Sequence, residues 1–155
     1  MLNSFLLWLV NSPWSQWITN YVWVFPTIQS VHFMGFAVLI GSIAIVDLRL
    51  LGFGMKRQAP AELDADLGRW TLVGLAMMFV TGFLMFSADA VNYHNNPGFQ
   101  FKMISLVVAL AFNFTIHRRT VRRGAGQIGA KLTGGASLLL WTMVLAGGRV
   151  IAFLR

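Results

Sequence analysis

The chain has 155 residues, of which 57% are hydrophobic and 11% charged, with a mean hydropathy of +0.67 and a formal charge of +7. Soluble domains carry roughly 25% charged residues, so this composition excludes an ordinary water-soluble domain and makes lipid the expected solvent. The absence of cysteine excludes disulfides, thiolate metal sites, iron–sulfur clusters and covalently attached haem.

The chain opens with "MLNSFLLWLVNSPWSQWITNYVW", an apolar stretch too short to cross a bilayer, then a Ser-Pro break and a run of tryptophans. Residues 1–19 are expected to lie along the outer membrane surface, where Trp14, Trp17, Tyr21 and Trp23 suit the headgroup level. There is no basic segment ahead of the apolar stretch and no small-residue cleavage pattern, which argues against a removable signal.

Residues 20–155 then hold four long apolar segments at about 20–48, 70–90, 101–117 and 132–154. A span needs roughly 20 apolar residues, and uninterrupted runs such as "LVVALAFNF" lack the strict alternation of a barrel strand. The expected fold is an all-α membrane protein, a bundle of four transmembrane helices with an interfacial helix at its N-terminus. Nine of the twelve Lys/Arg lie in or beside the connections after the first and third spans: Arg49, Lys56, Arg57 and Arg69, then Arg118, Arg119, Arg122, Arg123 and Lys131. The positive-inside bias puts both connections in the cytoplasm and both termini on the periplasmic side of a bacterial inner membrane. That distribution, with no aromatic-basic interleaving, also argues against nucleic acid as a partner.

Ionisable groups inside a span are costly and each needs a reason. His32 lies 15 residues before Asp47 on the first span, hence about 22 Å further out. Asp89 and His94 follow the second span, Lys102 opens the third, and Arg149 closes the fourth, so all could share an outer region with His32. Two roles fit His32. It could hydrogen-bond to a neighbouring helix and fix packing, or it could be an axial ligand of a b-type haem, with His94 as a second ligand and Gly35 leaving room for a flat macrocycle. Lys102 and Arg149 would then neutralise haem propionates or an anionic quinone, though long basic side chains near an interface also snorkel. His32, His94 and Asp89 as a copper or zinc site have no local ligand spacing in their favour. Met77, Met78 and Met85 read as lipid-facing or core-packing residues, and Met34, two positions from His32, points to a different helix face and is not expected to share a ligand with it. His117 lies about 22 Å down the third span from Lys102 and is not expected to join the outer group. Asp47, Arg49 and Arg69 form an expected charge anchor at the inner end. Asp47 and Arg49, two positions apart, do not face one another, so Asp47 is expected to meet a base on another span, such as Arg69.

The succession of "FPTIQSVHFMGFAVLIGSIAIVDLRLLG", "FVTGFLMFSADA" and "NNPGFQFKMISL" resembles a family of small bacterial inner-membrane proteins known only as a domain of unknown function. The resemblance covers about residues 20–117. It implies a four-span fold and singles out His32, Gly35, Gly41, Asp47, Leu48, Arg49, Gly82, Phe99 and Lys102, but no activity. No Ser/His/Asp triad, phosphate loop or paired catalytic carboxylates are present, so a hydrolase or nucleotide enzyme is not expected. The leading expectation is a haem-binding carrier passing electrons between quinone and a periplasmic partner. The alternatives are an accessory subunit of a homo-oligomer or larger membrane complex, and a transporter of small molecules or metal ions.

Overall fold

The structure is a computed structural model describing residues 2–54, 57–124 and 126–153. Lys56 and the last residue of the expected fourth span, Leu154, lie outside the described residues. Every regular element is helical. Two short helices, α1 (Leu2–Val10) and α2 (Pro13–Asn20), precede four long ones. Pro13 occupies the first turn of α2, where its missing N–H costs nothing, so the Ser-Pro break starts a second helix. The long helices are α3 (Val24–Leu51), α4 (Pro60–Ala88), the pair α6 (Pro97–Phe112) and α7 (Arg118–Arg123) joined through a π-helical turn at Asn113–His117, and α8 (Gln127–Phe153). A one-and-a-half-turn helix, α5 (Ala90–Asn95), links α4 to α6.

Four segments are long and apolar enough to cross a membrane: Val24–Leu51, Pro60–Ala88, Pro97–Arg123 and Gln127–Ile151. The chain is therefore a multi-pass membrane protein. The second helix begins about ten residues before its apolar window because hydropathy marks the hydrocarbon-immersed part, whereas the helix runs on through the polar turn Glu62–Arg69. Glu62 accepts a hydrogen bond from the backbone N–H of Ala59 at 3.0 Å, and its charge suits a helix N-terminus. α3 ends at Gly52, whose φ of 93° lets the backbone N–H of Phe53 reach back to Leu48 at 2.8 Å.

α3 is the centre of the bundle, packing extensively on α4 and on α8, while α6 packs on α8. α4 and α6 make no extended contact among the described residues. The middle of the bundle is filled by Leu39, Ile43, Ala109, Trp141 and Val144. The α3–α4 contact is close because both helices lack bulk there: a Cβ at Gly74 would lie 2.6 Å from the Leu39 nitrogen, and one at Gly35 would lie 2.8 Å from Met77 Cβ. At the end of the bundle where α4 stops, Leu6, Leu9 and Ala90 form a separate cluster, and Ser15 Oγ donates to the Ser87 carbonyl at 2.9 Å. The N-terminal helices are therefore packed on the bundle, with Trp8, Trp17 and Tyr21 left exposed.

Candidate functional site

Two polar sites interrupt the apolar interior, one toward each end of α3. At the first, His32 is buried and its Nδ1 lies 2.8 Å from Thr81 Oγ1 on α4. Thr81 has a single hydroxyl proton, which it donates to the Met77 carbonyl at 2.6 Å, one turn back. With that proton on the carbonyl the Thr81 oxygen accepts from His32, an arrangement in which Nδ1 carries the ring proton and Nε2 keeps its lone pair. The imidazole edge lies against Gly82, with Cε1 3.3 Å from where a Cβ would stand; a larger residue there would displace the ring. No hydrogen bond engages Nε2 among the described residues.

The structure places the other outer-end residues as follows. Lys102 is half-buried on α6, its stem running along Gly147 and Gly148 of α8, and its charge is near enough to act on His32. It has no ion pair among the described residues. Arg149 is exposed on α8. His94 is half-buried on α5, where its carbonyl accepts from Gln100 Nε2 at 3.0 Å; Asp89 accepts from Asn92 at 2.7 Å. No group of three or more His, Asp or Glu arranged to hold a metal ion occurs among the described residues. The room beside Gly35 is taken by Met77 and the Gly74 carbonyl, so that glycine serves the helix contact.

At the other end, Asp47 is fully buried, and its Oδ1 lies 2.6 Å from Nε2 of buried His117. The base that reaches Asp47 is thus His117, not Arg69, whose guanidinium lies 6.0 Å over the Trp70 ring. Arg49 donates through Nε to the Gln58 carbonyl at 2.8 Å and holds the adjoining loop. The π turn explains how His117 comes inward. At 3.6 residues per turn each four-residue step advances about 40°, so an unbroken α-helix would carry residue 117 about 100° off the middle of the face that buries Ser105 and Ala109. The wider turn takes back part of that rotation. Asp47 Oδ2 and Ser137 Oγ of α8 are buried near one another, and neither completes a hydrogen bond among the described residues. Beside His117 a cleft of about 310 Å³ opens between α3, α4 and α6–α7.

These two polar sites lie within one matched region, since a family model covers residues 4–154. The chain belongs to the family of unknown function DUF6644. Neither a curated protein nor a solved structure matches it. The match extends beyond the stretch that carried the sequence resemblance and takes in the N-terminal helices and α8. In this DUF6644 protein the partners that sequence reasoning missed are Thr81 for His32 and His117 for Asp47. Thr81 is one of several hydroxyl residues on apolar helices, with no local signal to set it apart. His117 was legible in part, because its depth along the third span matches that of Asp47 along the first.

Proposed function

We propose that this protein is a membrane redox carrier in which His32 would hold a b-type haem through its ring nitrogen. The observation that supports the reading is the state of His32: Nδ1–H is fixed by Thr81 and Nε2 keeps a free lone pair. A ligating histidine needs this arrangement, since the bond at one ring nitrogen sets the other as the ligand. Lys102, whose charge acts on His32, could pair with the carboxylates of such a group. Bound there, the haem would supply one-electron exchange between quinone and a partner. Thr81 orients the imidazole, and the apolar helices exclude water from it. His94 and Arg149 stand in this reading as a second ligand and an outer-side anion partner.

The test is the spectrum of protein purified from cells well supplied with haem, oxidised and then reduced with dithionite. Wild type is expected to show a Soret band that shifts on reduction, and His32→Ala to lose it. Wild type without a Soret band would remove the proposal.

A second reading, an accessory subunit, is favoured by the third span. Only 11% of its most apolar window is buried within the chain, against 39% for the first span. Native mass spectrometry that finds a defined assembly without cofactor would favour it. Transport would require a polar path, and the apolar cluster at the bundle's middle gives it no support.

A further inference from the structure

We infer that the cleft beside His117 is a seat for the headgroup of an anionic phospholipid, independently of whether His32 binds a haem. The lining combines arginines with apolar side chains and with the polar Ser42, Thr71 and Asn113. Arg69, Arg118 and Arg122 line it, and none has an ion-pair partner among the described residues. Asp64 is the one carboxylate in the lining, so the excess is cationic. Ile43, Leu72 and Phe114 form the apolar part, and Leu72 on α4 and Phe114 in the π turn are exposed at the bundle's surface. An acyl chain can therefore enter from the bilayer while the phosphate meets guanidinium groups, the usual partners of such oxyanions. This lateral opening is why a lipid is favoured over a soluble phosphate.

His117 completes the head of the seat. Asp47 occupies Nε2, which leaves Nδ1 as the nitrogen available to the cleft. While Nε2 stays on buried Asp47, the Nδ1 side of His117 can meet a phosphate oxygen. Asp47 acts through His117 as a positioning residue, much as a carboxylate orients a ligating imidazole.

Arg118 and Arg122 line the cleft, whereas their neighbours Arg119 and Arg123 do not. That provides a charge-matched control. A Cβ at Gly68, also in the lining, would meet nothing within 4 Å, so Gly68→Phe can fill the space with every charge kept.

The experiment is native mass spectrometry of full-length protein exchanged into nanodiscs of phosphatidylcholine containing a minor fraction of phosphatidylglycerol. One phosphatidylglycerol per chain should be retained. Its apparent affinity should fall about tenfold or more in Arg118→Gln/Arg122→Gln and in Gly68→Phe, and change little in Arg119→Gln/Arg123→Gln. Equal retention of both lipids would overturn the inference, as would equal loss in the two arginine pairs. Displacement by millimolar inorganic phosphate would reassign the seat to a soluble anion, and displacement by a neutral quinone to a quinone headgroup; either result overturns it too. Unchanged melting of each variant shows that the lipid was not lost through unfolding.

Discussion

Gly74→Ala adds one methyl group at the closest approach of α3 and α4. The new Cβ would lie 2.6 Å from the Leu39 nitrogen, 2.8 Å from the Gly35 carbonyl oxygen and 2.9 Å from Leu39 Cα, all of them backbone atoms that cannot swing aside. Ordinary contact begins near 3.4 Å, so the two helices must part by roughly 0.8 Å or shear along one another. Because α3 also carries His32 and Asp47, that movement reaches both polar sites. Overpacking of this kind costs about 1–3 kcal/mol. Gly41 on the same α3 is the control: a Cβ there meets nothing within 4 Å, and alanine is the better helix former. Gly41→Ala should leave stability within about 0.5 kcal/mol of wild type. Reversible unfolding in mixed detergent micelles, followed by tryptophan fluorescence, measures both. Equal effects of the two substitutions would refute the reasoning that small residues hold α3 against α4.

Other consequences follow from single residues. Removing Asp47 alone leaves a buried ring nitrogen of His117 without its partner, so Asp47→Ala should destabilise by about 1–3 kcal/mol, while Asp47→Leu combined with His117→Leu should recover a large part of that in the same assay. Thr81→Val removes the acceptor of His32 Nδ1–H; if His32 binds haem, its affinity should fall about 10–100-fold, as read by haem titration of purified protein. Asn96 caps α6 by accepting from the backbone N–H groups of Gly98 at 2.9 Å and Phe99 at 3.2 Å, and Asn96→Ala should cost about 1 kcal/mol in the unfolding assay. Cysteines placed at Thr19 and Gly124, in a chain with none of its own, should react with a membrane-impermeant reagent from opposite sides, position 124 only after lysis.

The sequence conveyed the architecture because apolar length is a one-dimensional signal: four windows, each long enough to cross, became four helices. Their ends were less legible, since α4 and the third span run on as helix beyond the hydrocarbon. Depth was legible as well, through the rise per residue, and it separated His32 from His117 correctly as opposite ends of the bundle. Facing was not. Asp47 selects His117 over Arg69 because a π turn re-aims the end of α6, and no residue pattern announced that turn. Likewise Gly35 and Gly82 read alike as small residues, yet one admits the neighbouring helix and the other admits an imidazole.

The central proposition is that Thr81 holds His32 with its proton on Nδ1 and an open lone pair on Nε2. ¹⁵N NMR of selectively labelled histidine in cofactor-free protein, with Thr81→Val for assignment, measures that directly. The expected spectrum has His32 as the Nδ1–H tautomer, with the signal altered in the variant. A proton on Nε2 instead would mean that Thr81 donates to the ring, and His32 would then present no lone pair to any ligand.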